Sequence, residues 1–264
     1  MGAGKTRRLQ RIFREDGRTV IVAMDHAAVF GMIEGLERPG ELIRRVRAAG
    51  ADAILTTYGI CTRFAEETGR MGVILRVDGG ISGLARKREA MSLTYSVSDA
   101  LRVGADGVAA MGMPGSDTEA ETLPYLSALV GKCAEWDVPV LAEMLPGGFE
   151  DSSIWWTVEN VGNACRIGAE LGVDLIKTVY TGDVPGFRRI VERVYVPVVV
   201  LGGARAKAPR ALLEEIAAAM EAGASGVAIG RNIFRYPEPE KLTAAVVAVV
   251  HEGISVDGAL GYLE

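Results

Sequence analysis

Eight short runs rich in valine and isoleucine recur along the 264-residue chain. None of them alternates polar with apolar residues, as a strand with one face in water does. Continuous apolar runs of this length are typical of parallel strands that are covered on both faces. The predicted strands are Val20–Met24, Ala53–Thr57, Gly72–Val77, Gly107–Met111, Val138–Met144, Leu175–Tyr180, Val196–Leu201 and Gly226–Ile229.

Segments with the spacing of amphipathic helices separate these runs. A glycine just after a helix supplies a left-handed C-cap, and small residues after it let the chain turn tightly into the next strand. Four helices end in variants of one such sequence motif, which are Gly50-Ala51-Asp52, Gly104-Ala105-Asp106, Gly172-Val173-Asp174 and Gly223-Ala224-Ser225. The predicted helices are Pro39–Ala49, Cys61–Thr68, Ser98–Val103, Leu123–Trp136, Thr157–Leu171, Val184–Val194, Arg210–Ala222 and Pro239–Glu252.

Strands that alternate with helices in this way predict an α/β fold, a single (β/α)8 TIM barrel. A doubly wound open sheet is the alternative, and it fits less well because no strong GxGxxG motif follows the first strand. We expect residues 20–264 to form the barrel. Residues 1–19 are expected to form a short N-terminal helical extension against its bottom.

Composition and charge exclude several classes of protein. With 49% hydrophobic residues the chain is too apolar to be disordered. Its 29 basic and 34 acidic residues leave a net charge of −5, whereas a protein that binds nucleic acid usually carries a basic excess. An anionic membrane surface is disfavoured for the same reason. We therefore expect no nucleic-acid partner and no membrane partner.

The cysteines, the histidines and the first residues indicate a cytoplasmic protein without a bound metal. The three cysteines are far apart and odd in number, which is typical of a reducing compartment rather than of disulfides or a zinc site. Two histidines are too few for a histidine-rich metal centre. The basic N-terminal segment lacks the apolar core of a secretory signal, and Leu242–Val250 is about half as long as a membrane span.

Lys177 is the most informative candidate for chemistry. The active site of such a barrel lies at the carboxyl ends of the strands, and Lys177 lies in the apolar sixth run. A charged amine in such a place costs several kcal/mol unless it is paired. A lysine that has lost its proton can attack a carbonyl carbon and form a Schiff base. The alternative is a structural lysine that pairs with Asp25 or Glu143 and only fixes the geometry of the barrel.

Two glycine-containing loops follow the seventh and eighth strands. Gly202 and Gly203 lie in the first loop, and Gly230 and Arg231 lie in the second. Loops at these two places commonly bind phosphate in barrels, through backbone N–H groups and a helix N-terminus. Glycine lets the backbone approach the phosphate, and arginine adds a fork of donors. These four residues are the predicted phosphate site; an ordinary tight turn is the alternative for each glycine taken alone.

Carboxylates end three other strands. Asp25 ends the first strand, where it can orient a substrate hydroxyl or exchange a proton with it; capping the next loop is the alternative. By the two-residue period of a strand, His26 points to the opposite side. Glu143 ends the fifth strand, and Asp78 follows the third with the same parity as Arg76, so these two are expected to neutralise each other. We expect His26 and Asp78 to contact the substrate or to support the residues that do.

The tryptophans are expected to have ordinary packing roles. Trp155 and Trp156 follow the fifth strand near the mouth of the barrel, where covering the substrate is the alternative. Trp136 is expected in the core.

Four motifs resemble those of the DeoC/FbaB aldolase family. They follow in order along nearly the whole chain, and those of the sixth and eighth strands are the most specific. The similar members are archaeal-type class I fructose-bisphosphate aldolases, 2-amino-3,7-dideoxy-D-threo-hept-6-ulosonate synthases and thiolases that act on phosphorylated autoinducer-2 products. The motifs are Ala23-Met24-Asp25-His26, Ile176–Gly182, Gly202-Gly203 and Gly226–Phe234.

The resemblance implies a metal-independent Schiff-base aldolase without a cofactor. In that case Lys177 forms the Schiff base, Asp25 acts on hydroxyls or protons of the substrate, and the two glycine loops hold a phosphate. The protonated imine is the electron sink. The default reaction is the cleavage of fructose 1,6-bisphosphate to dihydroxyacetone phosphate and an aldehyde, or its reverse. A phosphorylated sugar as substrate and a homo-oligomeric assembly are also implied.

The chain departs from the family pattern after the fifth strand. The aldolases and heptulosonate synthases typically have Tyr-Pro-Arg-Gly there, with the tyrosine as general acid and base, whereas this chain has Leu145-Pro146-Gly147-Gly148. Glu143 lies two residues before Leu145 and shares its face of the strand. We therefore expect Glu143 or Asp25 to supply the proton transfer. Leu201 stands where a serine is common, which indicates a different substrate shape.

Three alternatives to a lyase stay open. The first is a transferase of the same fold, like the heptulosonate synthases or the thiolases, and the thiolases also lack the tyrosine. The second is a phosphosugar isomerase or epimerase, which also binds phosphate after the seventh and eighth strands but has no use for a buried lysine on the sixth. The third is a barrel that binds a phosphorylated metabolite without catalysis.

Overall fold

The eight apolar runs form one closed parallel barrel in a computed structural model, which describes residues 2–85, 91–150, 152–203 and 208–264. Its strands are β1 Thr19–Ala23, β2 Ala53–Thr56, β3 Gly72–Arg76, β4 Gly107–Gly112, β5 Val140–Met144, β6 Leu175–Thr178, β7 Val198–Leu201 and β8 Gly226–Ile229. Neighbours in the chain are neighbours in the barrel, and β8 closes it by pairing with β1, with Thr19 opposite Gly226. The predicted (β/α)8 barrel is confirmed.

Helices cover the outside of this barrel. The longer ones are Pro39–Ala48, Tyr58–Arg63, Val97–Arg102, Glu119–Ala134, Val158–Glu170, Val184–Arg193, Pro209–Glu221 and Pro239–Val247, and a π-helical turn, Ala248–Glu252, continues the last. The shorter ones are Ala27–Phe30, Ala65–Thr68, Ser152–Trp155, Arg231–Phe234, Val256–Leu260 and the 3-10 turn Gly261–Leu263. Within the described ranges, no helix is long and apolar enough to cross a membrane.

Apolar side chains fill two layers, one on each face of the strands. Successive side chains of a strand point to opposite faces. Ile54 and Ile176 therefore lie in the larger cluster, between the strands and the helices. Their neighbours Leu55 and Leu175 lie in a smaller cluster inside the barrel. Because both faces are buried, the strands have no polar alternation in the sequence.

A helix over Ala3–Ile12 closes the bottom of the barrel, as the sequence predicts. Ile12 is fully buried and joins the interior cluster, where it packs with the inward side chains of the strands. Phe13 and Leu9 are half-buried against the same cluster. The interior is therefore sealed at this end, and access to it is from the other end.

The aspartate of the repeated motif at the helix ends forms ion pairs with the N-terminal segment that contains this closing helix. Asp52, Asp106 and Asp174 stand just before β2, β4 and β6, and each accepts a backbone N–H from the start of the preceding strand. Each also pairs with a cation of the N-terminal segment; the pairs are Arg14–Asp52, Arg11–Asp106 and Lys5–Asp174. The aspartate carboxylate of each motif thus both links two adjacent strands and binds the N-terminal segment with the closing helix.

Some local features differ from the sequence predictions. After β3 the chain forms an unpredicted antiparallel ladder between Asp78–Gly79 and Ser92–Leu93, which is too short to give a periodic signal. Trp136 was expected in the core, but it is 55% exposed. The helix Glu119–Ala134 ends before this residue, so the apolar stripe of the helix does not extend to it.

Candidate active site

Lys177 and Glu143 form an ion pair inside the upper part of the barrel. Lys177 Nζ lies 2.8 Å from Glu143 Oε1, and the two residues are paired in register on β6 and β5. Leu175 and Leu141, two residues earlier on the same strands, belong to the interior cluster. The period of two therefore places the lysine and the glutamate on the inner face, one layer nearer to the mouth.

Arg76, at the end of β3, joins three carboxylates. Its Nε donates to Asp25 Oδ2 at 2.8 Å, and its Nη2 donates to Glu143 Oε2. Its Nη1 donates to Asp78 Oδ1 at 3.3 Å. A guanidinium presents its donors in a fixed planar fork, so one side chain fixes the places of all three carboxylates. Sequence reasoning had paired Arg76 with Asp78 alone and missed its place in the centre of the site.

Asp78 binds Arg76 and is itself held by two hydrogen bonds. Its side chain is fully buried, and its Oδ2 accepts hydrogen bonds from the backbone N–H of Met111 at 2.7 Å and from the Tyr125 hydroxyl at 3.0 Å. Burial, together with the charge of Asp78, raises the pKa of Tyr125 above its ordinary value, so the phenol stays a donor. With both oxygens engaged, Asp78 holds the arginine and does not face the mouth.

Asp25 and Glu143 are both ionised at neutral pH. Burial by itself raises the pKa of Asp25, but the charges of Arg76 and Lys177 outweigh it and lower the pKa to about 2. Burial also raises the pKa of Glu143, and the charges of Lys177 and Arg76 bring it below the ordinary value of a glutamate. Buried charged groups with perturbed pKa values are characteristic of functional sites.

His26 lies in the mouth, near Asp25, and not on the opposite side as strand periodicity predicts. Strand β1 ends at Ala23, and His26 already has the backbone angles of a helix at the start of Ala27–Phe30, so the period of two does not reach it. Its Nδ1 is 3.4 Å from Asp25 Oδ1 and has no hydrogen-bond partner among the described residues. Its ring packs edge-on against Phe234. Burial lowers its pKa, so the neutral ring predominates at pH 7.

The two glycine loops lie side by side at the ends of β7 and β8. Asn232 Nδ2 donates to the Gly202 carbonyl at 2.7 Å, and Arg231 Nη2 donates to the Gly203 carbonyl at 3.3 Å. Arg231 Nε is buried and lacks a hydrogen-bond partner within the part of the chain that the structure describes. A buried donor without an acceptor is costly, and an anion bound between the two loops would accept a hydrogen bond from this Nε.

Backbone geometry requires glycine at two of these positions. Gly203 has a φ of +76°, in the left-handed region that disfavours other residues. A Cβ on Gly230 would lie 2.4 Å from the Ala23 carbonyl oxygen and 2.5 Å from Cε1 of His26. Glycine therefore lets β8 approach the end of β1 and the histidine closely.

Leu145, in the place of the family's tyrosine, lies outside the charged cluster. Strand β5 ends at Met144, and Leu145 is buried in the larger hydrophobic cluster. The prediction that Leu145 shares the inner face of the strand with Glu143 is therefore wrong. In the same loop the Trp155 indole covers Gly147, where a Cβ would lie 2.2 Å from the ring. This contact gives Trp155 a packing role.

The arrangement suits attack by an amine on a carbonyl group. It combines a buried lysine, a carboxylate in contact with its nitrogen, a second ionised carboxylate and, beside two glycine loops, a buried arginine donor without an acceptor among the described residues. Across residues 2–85, 91–150, 152–203 and 208–264, no three His, Cys, Asp or Glu side chains are grouped so that they could hold a metal ion.

Known sequences similar to this chain include aldolases and synthases. Residues 19–236 match the family model of the DeoC/LacD family aldolases. The chain is 38% identical over 261 residues to a 2-amino-3,7-dideoxy-D-threo-hept-6-ulosonate synthase of Halobacterium salinarum, covering 98% of this chain and 96% of that protein. It is 31% identical over 251 residues to a 2-amino-4,5-dihydroxy-6-oxo-7-(phosphonooxy)heptanoate synthase of Streptomyces griseus, covering 92% and 89%.

Solved structures of similar fold include archaeal aldolases. An archaeal fructose 1,6-bisphosphate aldolase superposes with a TM-score of 0.84 at 29% identity, covering 94% of this chain and 100% of that one. A second structure, of an archaeal fructose-1,6-bisphosphate aldolase whose catalytic lysine is covalently bound to the carbinolamine intermediate, gives 0.83 at 29% identity, with coverages of 93% and 99%.

Proposed function

Because the chain belongs to the DeoC/LacD family of aldolases, we propose that it is a Schiff-base aldolase that makes or breaks a carbon–carbon bond in a phosphorylated ketose. The observation that carries this proposal is the buried pair of Lys177 and Glu143 at the carboxyl ends of β6 and β5. A catalytic lysine bound to a carbinolamine in a similar archaeal aldolase supports the same chemistry for Lys177.

The proposed reaction begins between Lys177 and Glu143. Glu143 Oε1 accepts a proton from Lys177 Nζ across their 2.8 Å contact, and the amine lone pair attacks the carbonyl carbon of the substrate. Glu143 then returns the proton to the hydroxyl of the carbinolamine, which leaves as water. The hydroxyl of the carbinolamine itself carries the proton that moves from the added nitrogen to the former carbonyl oxygen. The product is a protonated imine, which takes up the electron pair in the next step without a metal.

Asp25 acts on the substrate hydroxyl next to the bond that breaks. Its side chain is the least buried of the three carboxylates around Arg76, 12% exposed against 8% for Glu143 and none for Asp78. It takes the hydroxyl proton, an aldehyde leaves, and the electron pair of the broken bond neutralises the imine as an enamine. In synthesis the enamine attacks an aldehyde and Asp25 returns the proton.

The glycine loops hold the phosphate of the substrate. Gly202, Gly203 and Gly230 let the backbone approach it, and Arg231 supplies charge and the buried Nε donor. These loops end β7 and β8, next to β6 and β1, so a bound phosphate lies to one side of Lys177 and Asp25.

Fructose 1,6-bisphosphate is the default substrate, and a synthase reaction is the second candidate. The identity of 38% to a heptulosonate synthase, against 29% to a fructose-bisphosphate aldolase structure, favours the second. In both cases Asp25 and Glu143 carry out the proton transfers, because Leu145 has no group that could transfer a proton.

Turnover assays test this proposal and separate its two forms. A lyase releases an aldehyde from fructose 1,6-bisphosphate alone, whereas a synthase consumes a phosphorylated ketose only with an added aldehyde acceptor. In either form, Lys177→Met should abolish turnover and a chelator should leave the wild-type rate unchanged. Turnover by a folded Lys177→Met variant, or isomerisation without carbon–carbon cleavage, would contradict the proposal.

A further inference from the structure

We propose that Arg76 is the positioning residue of this site, which holds Asp25 and Glu143 on the two sides of the reacting carbon. The reaction itself is the one proposed above, so this inference rests on that function. The role is additional to it, because neither the Schiff base nor the phosphate contacts involve Arg76.

The topology of the barrel shows why such a residue is needed. Asp25 follows β1 and Glu143 lies on β5, and these strands are opposite each other in the barrel with no backbone hydrogen bonds between them. The backbone ladder therefore does not set the distance between the two carboxylates. Arg76 does so directly, since Nε donates to one and Nη2 donates to the other.

The arginine is itself fixed by a third carboxylate, which is fully buried. Its third contact is to Asp78, which is held by the Met111 N–H and the Tyr125 hydroxyl. The Arg76 side chain is only 9% exposed. A side chain with so many fixed partners loses little further freedom when substrate binds, which is the property required of a preorganised site.

Charge gives Arg76 a second effect on both carboxylates. Three carboxylates surround the Arg76 guanidinium, those of Asp25, Asp78 and Glu143. Lys177 is a second cation, in contact with Glu143. Like charges this close normally force one carboxyl group to keep its proton. The guanidinium allows Asp25 and Glu143 to be ionised together. In the part of the chain that the structure describes, His26, Arg231 and Tyr125 are further titratable or charged groups that interact with this cluster.

Two substitutions separate the geometric effect from the charge effect. Arg76→Lys keeps a positive charge but loses the fork, and Arg76→Gln loses both. We expect kcat to fall by about 100-fold or more in both variants, with KM for the phosphorylated substrate within about twofold of wild type because the phosphate loops are untouched. The acid limb of kcat against pH should move to higher pH, and further in Arg76→Gln than in Arg76→Lys.

The matched controls are Arg44→Lys and Arg44→Gln, on the outer helix Pro39–Ala48, where Arg44 is 56% exposed and pairs with Glu67. Thermal unfolding is measured for every variant. Wild-type kcat and an unmoved acid limb in folded Arg76 variants would show a purely structural role and overturn the proposal. If neither Arg76 variant folds, Tyr125→Phe decides, because the Tyr125 hydroxyl holds Asp78 and Asp78 holds Arg76. A lower kcat at unchanged KM supports the positioning role of Arg76, and a wild-type kcat overturns it.

The same samples distinguish failure of this inference from failure of the proposed function. kcat is measured for whichever reaction the wild type performs. In parallel, each protein is incubated with dihydroxyacetone phosphate and sodium borohydride, which reduces a Schiff base to a stable adduct on Lys177. A wild type without adduct, together with the expected loss of kcat in Arg76→Gln, contradicts the Schiff base and leaves the positioning role intact. A wild type with adduct and an Arg76→Gln variant at full kcat contradicts the positioning role alone.

Discussion

Asp25 and Glu143 are both ionised and bound to Arg76, yet each contacts a different partner. Glu143 contacts the nitrogen of Lys177, whereas Asp25 is the more exposed and lies near His26. Glu143→Gln should therefore slow the appearance of a borohydride-reducible adduct with dihydroxyacetone phosphate. Asp25→Asn should leave the adduct in place and lower turnover by about 100-fold. Rapid quenching with borohydride followed by mass spectrometry measures the first step separately from turnover.

The division of roles has a definite contrary result. If both substitutions slow adduct formation equally, or if Glu143→Gln forms adduct at the wild-type rate, Glu143 is not the proton acceptor of Lys177. The exchange of one carboxylate for its amide keeps the shape of each side chain, so packing changes little in either variant.

Gly230 provides a test of the close approach of β8 to β1. The Cβ of Gly230→Ala would clash with the Ala23 carbonyl oxygen and with His26, so we expect a loss of about 1–3 kcal/mol in the free energy of unfolding. KM for a phosphorylated substrate should rise as well, because the loop must shift. Urea denaturation and initial-rate kinetics measure the two effects.

Gly131→Ala is the matched control for that substitution. Gly131 is exposed within the helix Glu119–Ala134, and a Cβ there meets no other atom within 4 Å. Alanine should stabilise the helix by up to about 1 kcal/mol and leave KM unchanged. The two alanine substitutions are thus expected to change the free energy of unfolding in opposite directions, and equal destabilisation by both would contradict the packing argument.

The sequence identified some residues of the site and missed others for physical reasons. Lys177 stands out because a charge in a doubly buried strand needs a partner. Arg76 and Tyr125 do not stand out, since parity shows which residues face inward but not which of several carboxylates an arginine reaches. His26 was misplaced because strand periodicity was extended past Ala23, where the strand ends.

Among the secondary-structure elements, the closing helix Ala3–Ile12 gives the clearest prediction. Asp174 accepts the Val140 N–H at 2.9 Å and pairs with Lys5 at 2.9 Å. Asp174→Ala removes both contacts and should cost about 1–3 kcal/mol in the free energy of unfolding. Asp174→Asn keeps an acceptor for the N–H and loses only the ion pair, which should cost less than about 1 kcal/mol. Equal losses in the two variants, by urea denaturation, would contradict the importance of the backbone contact.

Strands and long helices were predictable because burial on both faces and amphipathic spacing leave periodic signals over many residues. Short elements leave none. The ladder of Asp78–Gly79 with Ser92–Leu93 involves only four residues. The helix Val256–Leu260 was likewise not predicted, since five residues span little more than one turn.

For the molecule as a whole, His251 links stability to pH at the bottom of the barrel. Its Nδ1 is 2.7 Å from Asp16 Oδ2 and its Nε2 is 2.9 Å from Asp52 Oδ2. Burial lowers the pKa of His251, but the hydrogen bonds to Asp52 and Asp16 outweigh it and raise the pKa above 6.5. The native state therefore binds the proton more tightly than the unfolded chain does.

The sign of the pH effect follows from that difference. The contribution of His251 to stability is fully present below the unfolded pKa and is lost as pH rises through the higher native value. The difference in free energy of unfolding between wild type and His251→Gln should thus shrink as the pH rises above about 6.5. Urea denaturation at a series of pH values measures it, and a difference that grows with pH would contradict the assignment.

The assembly state and the substrate of the whole enzyme stay predictions. The family resemblance implies a homo-oligomer, which sedimentation equilibrium tests. Both are independent of the central claim, which concerns a single bond between this chain and its substrate.

That bond is tested most directly by trapping it. The protein is incubated with dihydroxyacetone phosphate and sodium borohydride, and then with a panel of phosphorylated ketones, and the adduct is located by peptide mass spectrometry. We predict a stable adduct on Lys177 in the wild type and none in Lys177→Met. The absence of an adduct on Lys177 with every ketone, in protein that is folded, would contradict the account and leave the lysine as a structural partner of Glu143.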